Sequence, residues 1–220
     1  SMYIDNDSDS RKVIASSSSH FCASERQYRF PLGYGGQRTP TAQWTVTGSG
    51  AVILQKEAQG NHPYIDKVHI GTIQDYGITD AANMGAAMAP AAFRTLSEFF
   101  RDTDTLPDDY DAIFTGDLGF VGSELLKELM MRESRINLHK NYFDCGLMIY
   151  DREKQDVHSG GSGCGCSASV LCSHILNSMK AGKYSNILFM ATGALMSPVS
   201  SKEGESIPGI AHLVNIRKDG

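Results

Sequence analysis

The 220-residue sequence lacks any run near the ~18 apolar residues that would span a bilayer. Its longer apolar runs are short, such as Ala51-Val-Ile-Leu54 and Ile187-Leu-Phe-Met-Ala191. The first residues have neither a basic region nor an apolar one, so no secretory signal is read there. Cysteine is sparse and odd in number, five in all, which argues for free thiols rather than a disulfide framework. Charge is modest: 20 Lys and Arg against 25 Asp and Glu give a net charge of −5. A mildly acidic chain has no overall pull towards nucleic acid, and none is expected as a partner. With 41% hydrophobic and 20% charged residues, disorder is excluded and a globular chain expected.

Glycine, by contrast, is plentiful at 22 residues, and it clusters. The spacing predicts short strands over 12–16, 45–54, 64–72, 112–115, 145–150, 186–191 and 209–216. Residues 12–16 read as a buried strand, and Gly48-Ser-Gly50 as a place of close backbone approach. Helices are predicted over 90–101, with Pro90 in the first turn, over about 120–130, and over about 167–181, with Gly182 as C-terminal cap. Residues 20–40, where aromatics and Arg interleave, read as a long ordered loop with a helical turn near 24–28. From residue 64 onward strands and helices alternate and two strands close the chain. This predicts an α/β layer fold with helices packed on a mainly parallel sheet. Sites in such sheets lie at the carboxyl ends of strands. Thr115-Gly-Asp-Leu-Gly119 and Thr192-Gly-Ala-Leu195 are the loops that qualify.

Three constellations can carry chemistry. The first is Gly160-Gly-Ser-Gly-Cys-Gly-Cys-Ser167, which leads into a helix. Glycines allow close approach and a helix start offers free N–H groups, which suits a phosphate or carboxylate. The same run also serves tight helix–sheet packing, with Cys164 and Cys166 as small buried hydrophobes. A metal reading of Cys164, Cys166, Cys172 and His174 fails on spacing, because Cys166 and Cys172 face different ways on a helix. The second is Asp117, either an acceptor, base or cation ligand at a strand end or the cap of the next helix. The third is the cluster His20, Glu25, Arg26, Tyr28, Arg29, Gln37 and Arg38, where Arg suits bidentate carboxylate recognition and a solvated loop is the plainer reading. The sequence has no G-x-S-x-G elbow, no Walker loop and no H-E-x-x-H.

Several runs resemble one family. They are Ala15-Ser-Ser-Ser-Ser-His20, Glu25-Arg-Gln-Tyr-Arg-Phe-Pro31, Tyr34-Gly-Gly-Gln37, Thr45-Val-Thr-Gly-Ser-Gly50, Met84-Gly-Ala-Ala-Met-Ala-Pro90, Thr115-Gly-Asp-Leu-Gly119, the Gly160–Ser167 run, Ala191-Thr-Gly-Ala-Leu-Met-Ser-Pro198 and Ile207-Pro-Gly-Ile-Ala-His212. Together they resemble the stage V sporulation protein AD family of endospore formers, within the wider thiolase/ketoacyl-synthase superfamily.

The resemblance implies a thiolase-like fold, with residues 1–60 as the end of a first half and 61–220 as a complete second half of βαβαβαββ order. It implies a non-enzymatic binder of dipicolinic acid (pyridine-2,6-dicarboxylate), alone or as its calcium chelate, acting in the spore's uptake and release of that molecule. Family members are expected to be soluble proteins held at the spore inner membrane by other stage V sporulation membrane proteins, and a homodimer is a further expectation. Condensing enzymes of the superfamily carry His and Asn or His in the second half. Those positions fall here at Gly116 or Asp117 and within Gly163-Cys-Gly-Cys166, so no catalytic residue, metal or cofactor is expected. An acyl-transferring enzyme using a displaced Cys is the alternative. The residues expected to meet the ligand are His20, Arg26, Tyr28, Arg29, Gln37, Met84, Gly116, Asp117, Gly163, Cys164, Cys166 and Gly193.

Overall fold

The computed structural model describes residues 12–21, 38–57, 60–138 and 140–219. In chain order the elements are β1 (Lys12–Ser19), β2 (Trp44–Thr45), β3 (Gly48–Gln55), β4 (Tyr64–His69), α1 (Met84–Thr103), β5 (Ala112–Thr115), α2 (Gly119–Ser134), β6 (Tyr142–Asp144), α3 (Cys145–Met148), β7 (Gly161–Ser162), α4 (Cys164–Val170), α5 (Leu176–Lys180), β8 (Asn186–Ala194), α6 (Pro198–Glu203) and β9 (Gly209–Arg217). A wide π turn, Leu171–Ile175, joins α4 to α5.

Five strands form the central sheet in the order β4-β9-β8-β5-β6. β5 runs parallel to both β6 and β8, while β9 is antiparallel to β8 and to β4. Four strands therefore point one way and β9 alone is reversed, which matches the mainly parallel α/β sheet expected. β5 is buried on both faces. Its residues and those of β8 alternate between two cores. Ile113, Leu188 and Met190 pack with Leu96, Leu126 and Met130 under α1 and α2. Phe114, Ile187 and Phe189 pack with Cys166, Ile175 and Met179 under α4, its π turn and α5. Each fully buried side chain of this size contributes roughly 1.5–3 kcal/mol.

β1 and β3 make a separate antiparallel ribbon, Ile14 opposite Ile53. One face lies on α4: the Ser17 hydroxyl donates to the Cys164 carbonyl (2.9 Å) and the Ser169 hydroxyl to the Ser49 carbonyl (3.3 Å). The other face carries Ile14 and Ile53, 72% and 68% exposed. The strand expected at 12–16 is therefore present but not buried, because among the described residues nothing covers its outer face.

Three further expectations are corrected. α1 begins at Met84, not Pro90, because Asn83 caps it by accepting from the Ala86 N–H (3.3 Å). Pro90 then sits inside the helix, where it forfeits one main-chain hydrogen bond. Residues 145–148 form a helix instead of a strand, and the strand precedes them at Tyr142–Asp144. The π turn interrupts the helix expected to run unbroken to residue 181. Gly182 does follow it at positive φ, its N–H bonded to the Met179 carbonyl (3.0 Å). Of the loop expected at 20–40, only 20–21 and 38–40 fall within the described residues, and the helical turn near 24–28 lies outside them.

α1 and α2 approach through Gly85 and Gly122. A Cβ on Gly122 would stand 2.8 Å from the Gly85 Cα and 2.9 Å from its carbonyl oxygen. Gly122→Val should force the helices apart and destabilise the chain by about 1–3 kcal/mol. Urea unfolding of the variant beside the parent measures this, and an unchanged midpoint would refute the contact's importance.

Candidate functional site

The loop Gly116–Leu118 leaves β5 at its carboxyl end, next to the carboxyl ends of β6 and β8. Asp144, the last residue of β6, reaches into it. Its carboxylate accepts from the Thr115 hydroxyl (2.6 Å), the Leu118 N–H (2.9 Å) and the Gly119 N–H (3.0 Å). Asp144 thereby caps α2 from another element, satisfying amides that a local cap would otherwise take. Behind it, the Thr115 and Tyr142 hydroxyls lie 2.8 Å apart, and the Tyr142 hydroxyl is 3.1 Å from that of Ser123. Burial pushes Asp144 up to about 7, and the neighbouring Asp117 carboxylate adds to the rise. The Thr115 hydroxyl and the two amides pull the other way. Burial likewise pushes Tyr142 above the usual phenol range.

Asp117 does not cap α2. Its carboxylate accepts from the Gly163 N–H (2.8 Å) and the Thr192 hydroxyl (2.9 Å), and its own N–H donates back to that hydroxyl (3.0 Å). This ties the β5 loop to the turn before α4 and to β8. Gly163 holds a φ of 108°, a conformation that side chains rarely adopt. Gly116 must be small, because a Cβ would meet the Thr192 hydroxyl at 2.8 Å. Gln43 completes the tie: its side-chain amide donates to the carbonyls of Asp117 (2.7 Å) and Gly161 (2.9 Å). Further along the turn the Gly165 N–H donates to the Ser19 hydroxyl (2.8 Å), which itself donates to the Val46 carbonyl (2.6 Å). The Gly163 amide before α4 and the Gly165 amide within it are thus partnered in the chain, the first by a carboxylate.

Of the residues singled out in sequence, Gly116, Asp117 and Gly163 meet here, and Gly193 follows Thr192 in β8. A Cβ on Gly193 would meet only the Ile210 side chain, at 3.7 Å. Cys166 is buried nearby, and burial raises its thiol well above the usual range, as it does for Cys145. Cys164 is exposed at the start of α4. His20 is exposed at the end of β1, and Phe21 beyond it stacks on Trp44, ring centroids 4.8 Å apart. Met84 joins the core under α1 and α2, on the opposite face from α4. Arg26, Tyr28, Arg29 and Gln37 lie outside the described residues. No three His, Cys, Asp or Glu side chains among the described residues are grouped to hold a metal ion.

Sequence reasoning missed Asp144 and Gln43 as members of the site. The signal for Asp144 was slight: an acid closing a three-residue strand just before Cys145-Gly146.

A carboxyl raised by folding destabilises the fold once it ionises. The native state holds its proton up to about pH 7, whereas the unfolded chain releases it near 4. The cost is therefore absent below about pH 4, grows as pH rises and is complete above about 7, with a slope of up to about 1.4 kcal/mol per pH unit. Asp144→Asn should shed this cost, so its stability relative to the parent improves from pH 4 to pH 7.5 in urea titrations. A constant difference across that range would contradict the assignment.

The family model for stage V sporulation protein AD (SpoVAD) matches residues 1–217. Stage V sporulation protein AD of Bacillus subtilis (strain 168) is 44% identical over 210 residues, covering 96% of this chain and 61% of that protein. The chain thus spans about three fifths of the length of that relative. Among solved structures, the tetronic acid condensing enzyme AbyA1 is similar with a TM-score of 0.51 at 11% identity, over 95% of this chain and 60% of that one. The acetyl-CoA acetyltransferase of Bacillus anthracis gives a TM-score of 0.43 at 15% identity, over 81% of this chain and 38% of that one. At 11% identity the likeness to the condensing enzyme speaks to fold alone, and the fold is thiolase-like. On the family match and the B. subtilis identity, the chain belongs to the stage V sporulation protein AD family.

Proposed function

We propose that this sporulation protein is a non-enzymatic component that binds dipicolinic acid during its uptake into and release from the spore. The observation that carries the reading is the state of the site's thiols and acids. Cys145 and Cys166 are buried and held protonated, so neither offers the thiolate that acyl transfer needs. The groups that hold Asp144, and those that tie Asp117 to Gly163 and Thr192, are hydroxyls and main-chain amides. Such donors bind a carboxylate without activating it. Gly163 and Thr192 already converge on one carboxylate, that of Asp117, and a ligand carboxylate takes the same two donors when Asp117 turns aside. Arg26, Arg29, Tyr28, Gln37 and His20 would supply the remaining contacts to a flat diacid, alone or as its calcium chelate. In the same proposal residues 1–60 end a first thiolase-like half and 61–220 form the second. Other stage V sporulation membrane proteins hold the whole protein at the spore inner membrane, and a homodimer is its oligomeric form. No helix among the described residues is long and apolar enough to cross a membrane.

One observation favours an acyl-transfer reading: Cys164 is exposed at the start of α4. Mass spectrometry after incubation with acyl-CoA decides it, since an unmodified Cys164 dismisses that enzyme. For the leading reading, calorimetric titration of the whole protein with pyridine-2,6-dicarboxylate should give saturable heat beyond that of a benzoate control. Equal heats would overturn it. Asp117→Ala frees the two donors and removes a like charge, so it should tighten binding roughly tenfold, or about 1.4 kcal/mol.

A further inference from the structure

Away from the strand-end site, two segments are laced into one surface. The loop after β4 and the stretch between β8 and β9 share several hydrogen bonds. Gln74 and Gly209 exchange main-chain bonds of 2.8 Å and the Ile207 N–H donates to the Ile78 carbonyl (2.8 Å); within the second segment the Leu195 N–H donates to the Pro208 carbonyl (2.9 Å). The Ser206 hydroxyl donates to Asp75 (2.6 Å). An open cleft between them is lined by Asp75, Leu195, Ser200, Glu205, Ser206 and Pro208.

This surface is apolar and acidic together. Ile70, Ile73, Tyr76, Leu195 and Val199 each expose more than half of their area, Leu195 reaching 72%. Single exposed apolar residues are ordinary, but five on two bonded segments are not. Residues 70–80 and 195–208 carry Asp75, Asp80, Glu203 and Glu205 against Lys202 alone, a net charge of −3. The acids stay ionised at neutral pH where it matters most for the cleft: hydrogen bonds from Ser206 and the Gly77 N–H hold Asp75 below the usual carboxylate range.

The sign of the charge selects the occupant. An anionic bilayer is repelled by such a patch. A second copy meeting the same patch would set acid against acid. The chain's own first eleven residues, with Asp5, Asp7 and Asp9 against Arg11, are acidic too. A segment with both an apolar stripe and cationic flanks is complementary to it. We infer that the surface formed by residues 70–80 and 195–208 docks a basic, amphipathic segment of another protein, its apolar side chains on Ile73 and Leu195 and its Lys or Arg side chains facing Glu203 and Glu205.

The probe is a fluorescent, photoreactive model helix of about 18 Leu and Lys residues, with a Leu and Glu helix as the opposite-charge control. Anisotropy should show saturable binding of the Leu/Lys helix that weakens as salt is raised, and little binding of the Leu/Glu helix. The pair Ile73→Ser with Leu195→Ser should cost roughly tenfold in affinity. The pair Glu203→Gln with Glu205→Gln should cost severalfold and flatten the salt dependence. Photocrosslinks should fall within 70–80 and 195–208, a readout that needs no variant. Crosslinks elsewhere, equal binding of both helices, or variants that bind like the parent would overturn the assignment. So would binding to phosphatidylglycerol vesicles that the same variants abolish, which would make the surface a membrane contact, or loss of helix binding through self-association in sedimentation runs.

Discussion

One buried carboxylate holds the strand-end site in place. Asp144 is 2% exposed and accepts from three donors in the loop that leaves β5. An unpartnered carboxylate there would be prohibitively costly, so the loop is folded around it, with each donor positioned by the next element. Thr115 ends β5, Leu118 precedes α2 and Gly119 begins it. The carboxyl ends of β5 and β6 are thereby locked together, and the start of α2 has a cap that its own sequence does not supply. Asp117, two residues before that start, is released from capping and bonds instead to the turn before α4 and to Thr192 of β8. Two acids separated by α2 and β6 therefore divide the work: Asp144 fixes the loop, and Asp117 ties it to the turn before α4 and to β8.

The glycine run before and within α4 serves two ends at once, and the two can be separated by position. Gly163 is required by its φ of 108° and presents its amide to Asp117. Gly165 is required by space, since a Cβ there would stand 2.7 Å from the Ser19 main-chain nitrogen. Gly48 and Gly50 face it from β3, where a Cβ on Gly48 would meet the Ser169 hydroxyl at 2.6 Å and one on Gly50 the Cys172 sulfur at 2.9 Å. α4 is thus a helix shared between two layers, the central sheet on one side and the β1–β3 ribbon on the other. The run serves tight packing at Gly165, while the Gly163 amide is taken within the chain by the Asp117 carboxylate.

The order and type of most elements were legible because buried parallel strands read as continuous apolar runs, as in Ala112–Thr115 and Asn186–Ala191. Two errors share a cause: a local signal was read without its tertiary partner. Pro90 looks like a helix start, yet Asn83 supplies a cap and the alanines around Pro90 bury well enough to carry the helix through it. The segment 145–150 looks like a strand by its apolar content, but the strand is Tyr142–Asp144, only three residues long, and its register is set by pairing with Ile113 to Thr115. The site was half legible. Asp117 lies in a loop that the alternation of elements places at a strand end, whereas Thr192, also expected in a loop, lies within β8, in its pairing with β9. Asp144 and Gln43 act only through contacts with residues 25 to 118 positions away, which no local pattern encodes.

The same pair of acids bears on how a diacid would be held, if the proposed ligand enters here. A dianion placed on the Gly163 amide and the Thr192 hydroxyl would bring negative charge beside Asp117 and towards Asp144. The cheaper response is to take up a proton, and Asp144, raised to about 7, is the group nearest to doing so at neutral pH. Protonation weakens Asp144 as an acceptor for Leu118 and Gly119 and so loosens the loop that carries Asp117, the residue that must turn aside. Ligand entry, proton uptake and loop release then favour one another through shared atoms, with no metal or covalent step in the sequence. A thiolate at Cys145 or Cys166 would work against this, since it would add a further buried negative charge. The burial that keeps both thiols neutral would therefore favour the proposed anion there.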